Sequence, residues 1–532
     1  MINLSKRKRH KSVSGGLMKM TGLMRQACLL TVFAALYGCA SVDFDYPKSE
    51  SVALTDTADT HLGRQFAGLA ADHPGESGFF PMVDGIDALA SRLLLAERAE
   101  RSIDAQYYLI KDDIVSHVFI SVLLRAADRG VRVRLLVDDM FTSGADAGIA
   151  ALDSHPNFEI RIFNPFARRS ARAMDAITSF SRINRRMHNK SFTADNQVTI
   201  IGGRNIADEY FGAREDAKFG DLDVMGIGSV VNEVSDMFDS YWNHERAAPP
   251  EAFAKMPDDP ATELERVRVE LEAARQLILG TKYAAAVRDQ FLEYEETDND
   301  VFIWAPYTLA VDSPDKNFKK KAKTAASITT PLRESILSAK TEALILSPYF
   351  VPRKAGIETL IELQRSGVSI TIITNSLAAN NQSSVHAGYA PSRKPLLKAG
   401  VKIYEVRPDA DVQGSELMAA SGAKATLHTK AFIIDRSEIF IGSFNFDPRS
   451  ANINTELGVI IRSPEMSANA AELLTAALPR QTYEVFLNEK GKLRWRAFED
   501  GEEVIYDKEP QTTWGQRFMA GFMRILPIRG QL

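Results

Sequence analysis

Two stretches of the chain carry the same reactive side chains at the same spacing. His188, Lys190, Asp195, Gly202 and Asn205 recur as His428, Lys430, Asp435, Gly442 and Asn445, at a constant offset of 240 residues. Each reads H-x-K-x4-D followed by a Gly-x-x-Asn turn, and matched spacing of this kind implies a duplicated unit whose halves each supply part of one site. On a strand, residues two apart share a face, so His188 projects with Lys190 and His428 with Lys430. Asp195 and Asp435 stand at an odd separation from their histidines, which turns them to the opposite face and gives them the task of tying the motif down. Each Asn lies beyond a glycine turn and returns toward the Lys side as a neutral donor. Two His, two Lys and two Asn then converge. That set suits a phosphodiester: Lys and Asn stabilise charge on the non-bridging oxygens, while one imidazole attacks phosphorus and the other protonates the leaving oxygen. The arrangement calls for no cofactor. None of the nine His stands at metal-ligand spacing with a Cys or carboxylate, so no metal site is expected.

The elements that must hold these residues repeat as well. Ser102–Leu109 alternates as a strand, Val115–Asp128 has helical apolar spacing, and Gly130 opens the β-rich run Val131–Val137. The second half repeats the order with a strand over Ala343–Tyr349, a helix over Ile357–Gln364 and a strand over Val368–Thr374. Short β runs over Gln197–Ile201 and Ile439–Ile441 follow the two motifs. Strand and helix alternate, as in α/β sheets covered by helices. The reading divides the chain into a leader (1–39), an N-terminal linker (40–77), a first α/β domain (78–248), a helical insertion with a basic linker (249–324), a second α/β domain (325–480) and an amphipathic tail (481–532).

The 532 residues are 45% apolar and 25% charged, ordinary for a core-forming protein, and the formal charge of -5 argues against a nucleic-acid partner. Basic residues precede the apolar run Ala27–Tyr37, which is too short to span a bilayer and reads as an export signal. It ends at Gly38-Cys39, and Leu36-Tyr37-Gly38-Cys39 resembles a bacterial lipobox in which Cys39 would be lipidated. A lipid-anchored protein of the cell envelope is expected. With two cysteines in the whole chain and the leader removed, no disulfide framework forms.

At the duplicated motif the chain resembles the phospholipase D superfamily. The run Gly442-Ser-Phe-Asn-Phe-Asp-Pro-Arg-Ser450, with Gly-Gly-Arg-Asn205 and Asn375–Asn380, is similar to the bacterial cardiolipin synthases and, within them, to their type C branch. The resemblance implies an α/β fold of two pseudo-equivalent phospholipase D-like domains, each a mixed sheet covered by helices, sharing one active site. It implies His188 as nucleophile, forming a phosphatidyl-histidine, and His428 as acid and then base, an assignment that the residues alone leave open. A carboxylate behind each imidazole holds its tautomer and stabilises its cation. Glu456 is assigned to His428, and for His188 the choice lies between Asp221 and Asp223, with Asp221 favoured. The implied reaction moves a phosphatidyl group from phosphatidylglycerol or phosphatidylethanolamine to phosphatidylglycerol, giving cardiolipin. A phospholipid hydrolase is the nearest competitor, ahead of a nuclease or a silent lipoprotein scaffold.

Three further features bear on a lipid substrate. Arg168, Arg169, Arg172, Arg182, Arg185 and Arg186 lead into His188 and read as a collar for anionic head groups, against a salt-bridged helix face. His386 and Arg393 follow the matched Asn-rich run, either in an acceptor pocket or in the core. In the tail, Trp514, Phe518, Met519, Phe522, Met523, Ile525 and Leu526 fall mostly at helical spacing beside Arg517, Arg524 and Arg529, which suits an anionic membrane surface or docking on the protein's own core.

Overall fold

The computed structural model describes residues 42–214, 216–296, 301–317, 326–410, 424–499 and 501–525. The leader with Cys39, the basic run 319–323, Leu526 and Arg529 lie outside the described residues. The strands of the first half are β1 (Ser77–Met82), β2 (Ser102–Tyr107), β3 (Arg132–Asp138), β4 (Phe158–Phe163), β5 (Ser191–Ala194), β6 (Val198–Gly202), β7 (Ala217–Gly220), β8 (Asp223–Gly228), β9 (Ala247–Ala248) and β10 (Ile303–Ala305). Those of the second are β11 (Tyr307–Val311), β12 (Glu342–Leu346), β13 (Ser369–Asn375), β14 (Lys402–Val406), β15 (Lys424–Leu427), β16 (Ala431–Ile434), β17 (Glu438–Gly442), β18 (Leu457–Ile461), β19 (Thr482–Leu487), β20 (Leu493–Glu499) and β21 (Glu502–Tyr506).

Two mixed sheets result, ordered β10-β1-β8-β6-β5-β2-β3-β4-β9 and β11-β18-β17-β16-β12-β13-β14-β19-β20-β21. In each, three strands run parallel, β2-β3-β4 and β12-β13-β14, and an antiparallel hairpin carrying the motif pairs with the first of them. Parallel strands need crossovers, and the helices Ile114–Asp128 and Arg353–Arg365 supply the two equivalent ones. The helix Ile114–Asp128 starts where the Asp113 carboxylate accepts from Ser116 N. The two sheets share an apolar core in which Leu136, Ile201 and Val224 meet Leu344, Ile441 and Val459. Both belong to one compact unit that begins at Asp43.

The hairpin turns are alike to within a few degrees. Asp195 and Asn196 take φ 49° and 50°, and Asp435 and Arg436 both take 51°, a left-handed pair that makes the tight turn within each three-residue hairpin loop. The Asp195 carboxylate accepts from the amides of Glu100, Arg101 and Ser102, and Asp435 from those of Lys340, Thr341 and Glu342. Each therefore ties its hairpin to the start of the neighbouring central strand.

Several segments differ from the sequence reading. The stretch 40–77 is no free linker: it carries the helix His61–Ala71, and the Ser49 and Ser51 carbonyls take Arg161 and Arg134. Between the halves, helices span Pro260–Leu279 and Lys282–Glu296, but β10 and β11 follow and form an edge of each sheet. Most of the tail is the meander β19-β20-β21, and the amphipathic helix is confined to Trp514–Met523.

Candidate active site

His188 and Lys190 stand just before β5, and His428 and Lys430 just before β16, so extended connectors rather than the strands themselves present them. What fixes each connector is the opposite half of the molecule. Met187 bridges Thr455, with His188 N donating to Thr455 O at 2.9 Å and Thr455 N to Arg186 O at 3.0 Å. In the pseudo-equivalent place β15 runs parallel to β7, and His428 N donates to Gly220 O at 2.7 Å. The residues after those acceptor carbonyls are Glu456 and Asp221. Each backbone contact therefore delivers a carboxylate to the histidine of the other half.

The side chains complete the exchange. His188 Nδ1 lies 2.7 Å from Glu456 Oε2 and His428 Nδ1 2.5 Å from Asp221 Oδ2. This reverses the pairing read from sequence, which gave Glu456 to His428 and Asp221 to His188. Asp223 serves neither histidine, because it is buried in an ion pair with Arg92 at 2.8 Å and Arg204 at 3.4 Å. Both rings are braced by aromatics: Tyr108 meets His188 edge-on at 4.9 Å, Tyr210 meets His428 edge-on at 5.0 Å, and Phe219 stacks on His428 at 5.5 Å. The Lys190 ammonium donates to His188 O and the Lys430 ammonium to His428 O, each at 2.5 Å. Asn205 Nδ2 donates to Tyr210 OH at 2.8 Å, so this amide reaches the His428 side through a phenol. The backbone N–H of Asn445 donates to Ser450 Oγ at 3.3 Å.

Burial dominates the electrostatics. It pushes His428 down to about 3, helped by Lys430, and Lys430 itself down to about 8. His188 falls for the same first reason, then through the ammonium groups of Lys190 and Lys430. Lysines of both halves act on one imidazole, in keeping with the crossed contacts to Glu456 and Asp221. The carboxylates part company: burial lifts Glu456 to about 7 against the pull of Lys190, whereas for Asp221 the same burial is overcome by Lys430 and His428 and the group stays below its ordinary value. A neutral imidazole with Nδ1 facing a carboxylate keeps Nε2 for use as a base or nucleophile, and His428 Nε2 has Lys430 Nζ 3.2 Å away.

The family model described as cardiolipin synthase, PLD-like domain, matches residues 94–242 and 332–477. Cardiolipin synthase C of Escherichia coli is 42% identical over 465 residues, covering 86% of this chain and 97% of that protein. The chain belongs to this cardiolipin synthase family of PLD-like proteins. A Helicobacter pylori protein is 30% identical over 520 residues, covering 94% of this chain and 99% of its own. Among solved structures, phosphatidylserine synthase of Haemophilus influenzae aligns with a TM-score of 0.51 at 13% identity, over 76% of this chain and 87% of that one, which speaks for the fold.

Within this PLD-like frame, one sequence expectation changes place, one open alternative is decided, and residues not singled out join the site. The arginine collar is mostly consumed inside the protein: Arg168 pairs with Asp175, Arg169 with Asp139 and Asp146, Arg172 with Asp139, and Arg186 with Asp138. Arg182 and Arg185 donate to the Pro165 and Lys316 carbonyls. The cluster is a structural clasp for the segment leading to His188. His386 is core, 1% exposed, with Nε2 3.2 Å from Glu509, which also takes Arg393 at 2.8 Å. Residues not singled out by sequence enter the site: Tyr108, Tyr210, Phe219 and Ser443, whose hydroxyl donates to Glu456 Oε2 at 2.5 Å. Ser443 had a signal available, since it holds the position of Gly203 at the repeat offset. Among the described residues no helix is long and apolar enough to cross a membrane.

Proposed function

We propose that this protein transfers a phosphatidyl group from a phospholipid donor to the hydroxyl of phosphatidylglycerol, forming cardiolipin and releasing the donor's head alcohol. The pair of crossed imidazole–carboxylate contacts carries this reading, and the family relationship narrows the substrate to phospholipids. His188 Nε2 attacks phosphorus while the bond to the head-group oxygen breaks, and that oxygen takes a proton from His428. His428 then removes the proton from the acceptor hydroxyl, whose oxygen attacks phosphorus and breaks the P–N bond to restore His188. Lys190, Lys430, Asn205 and Asn445 stabilise the non-bridging oxygens, and Asp195 and Asp435 hold the hairpins that position them. A bound anionic diester opposes both ammonium groups and raises the proton affinity of His428, so substrate itself arms the acid.

A membrane surface is the proposed setting. The helix Trp514–Met523 leaves Trp514 72%, Phe518 56% and Phe522 48% exposed, while only Ala520 of its residues is buried. Such an apolar face beside arginines favours contact with anionic lipid. The lipobox-like residues at Cys39 support anchoring to the cell envelope. Purified protein given phosphatidylglycerol in mixed micelles is expected to yield cardiolipin and glycerol. Phosphatidic acid as the main product would establish the hydrolase instead, and released ethanolamine from mixed lipids would identify phosphatidylethanolamine as donor.

A further inference from the structure

The repeat offset relates not only the two motifs but also two cavities. One, of about 420 Å³, is lined by Lys111, Asp112, Ser116 and Ile120. The other, of about 390 Å³, is lined by Val351, Pro352, Gly356 and Leu360, the same four positions of the second half. Their charges behave differently. Around the first cavity Lys111 pairs with Glu209, His117 with Asp112, and Arg266 with Glu263 and Glu270. At the mouth of the second, Arg333 and Arg353 are exposed, and among the described residues neither guanidinium has a carboxylate or hydrogen-bond partner. Arg353 also sits at φ 52°, a backbone region that side-chain-bearing residues seldom occupy.

The interior of this second cavity is apolar, with Leu332, Ile336, Phe444 and Phe446 among its walls. Asp447 is the one carboxyl group lining it; its Oδ1 is engaged by Ser450 N at 2.7 Å, and burial pushes it up to about 7. The wall segment Phe444–Asn452 is continuous with the site, since it contains Asn445, and since Arg449 donates to Asn184 at 2.8 Å just ahead of the His188 connector.

From these features we propose that the cavity receives an acyl chain of an anionic phospholipid, with the lipid's phosphate held between Arg333 and Arg353. Hydrocarbon walls and two unengaged cations at one mouth match the two ends of that ligand. The inference deepens the proposed function, on which its choice of phospholipid rests. Burial of hydrocarbon strengthens binding roughly fourfold per methylene, so affinity depends on chain length only while the cavity is open.

The test is binding of monomeric dihexanoyl- and dioctanoyl-phosphatidylglycerol to the full-length protein by calorimetry. The parent is expected to bind the longer lipid, with two more methylenes in the cavity, about sixteenfold more tightly. Ala355→Trp, at the exposed mouth, is expected to abolish that gain by weakening the dioctanoyl lipid more than the dihexanoyl one, and Thr359→Phe, one helical turn on, to do the same. Arg333→Ala with Arg353→Ala is expected to weaken both phosphatidylglycerols about tenfold and dioctanoyl-phosphatidylcholine less, because its choline cation already offsets the phosphate charge. A chain-length gain that survives both filling variants overturns the proposal, as does parent protein that binds phosphatidylcholine as tightly as phosphatidylglycerol. Absence of cardiolipin product with the chain-length gain intact would sink the transfer reaction and leave the cavity assignment standing.

Discussion

The two half-sites are built on one plan and tuned apart at two pairs of positions. Gly203 and Ser443 are equivalent by the repeat offset, and their amides donate to the equivalent carbonyls of Leu222 and Leu457. In the first half the space beside this position is filled by an acid: a Cβ at Gly203 would come within 2.2 Å of Asp221 Oδ1. In the second half a serine hydroxyl stands there and donates to the longer Glu456. Asp221 has Lys430 3.9 Å away and stays ionised, whereas Glu456 titrates near 7. Duplication set the scaffold, and a single glycine-to-serine difference with an Asp-to-Glu change lets one imidazole be backed by a fixed charge and the other by a proton-accepting group.

The largest expected effect removes the contrast altogether. His188→Ala and His428→Ala should each cost about 10⁴-fold in kcat, since members of one catalytic unit fail together. Their chemistry should still differ: with a donor bearing a good leaving group, His428→Ala should trap radiolabelled phosphate on the protein and His188→Ala should trap none. The reverse labelling would exchange the two roles.

Next comes the acid pair. Asp221→Asn should lower kcat about 10³-fold, in line with loss of a permanent charge behind an imidazole, and Glu456→Gln only about tenfold, because that carboxyl is already half protonated near neutrality. Equal losses would erase the distinction. The same difference predicts the pH profile. Glu456 must be ionised to accept from His188 Nδ1–H, and it gains a proton as pH falls through about 7. Thus kcat/KM should decline below that pH in the parent and become flat there in Glu456→Gln; Asp221, held low, adds no limb in this range.

The smallest effects concern the hairpin ties. Asp195 is fully buried and accepts from three amides, whereas Asp435 is half-buried. Asp195→Ala should cost about 3 kcal/mol of stability and Asp435→Ala about 1 kcal/mol, read from denaturant midpoints, because a buried amide left unpaired is the larger penalty.

Much of this was legible in the residues. The offset that relates His188 to His428 also relates Asp195 to Asp435 and β12 to β2, because hairpin turns and strand pleats leave local periodic traces. The strands β10 and β11 left none that could be told from a linker, being short edges made stable by pairing with β1 and β18. The arginine clasp was equally ambiguous, since its partners Asp138, Asp139 and Asp146 lie far from Arg168–Arg186 in the chain and only folding brings them together.

By itself the amino-acid order determined that two equal halves exist, that each offers a histidine, a lysine and an asparagine, and that phosphorus chemistry suits them. The tertiary structure alone decided which carboxylate backs which imidazole. Glu456 follows His428 in the chain and Asp221 follows His188, yet Met187 bridges Thr455 and His428 bonds Gly220. Strand-like contacts between halves carry each acid across, and no spacing along one half can encode a hydrogen bond whose partner belongs to the other.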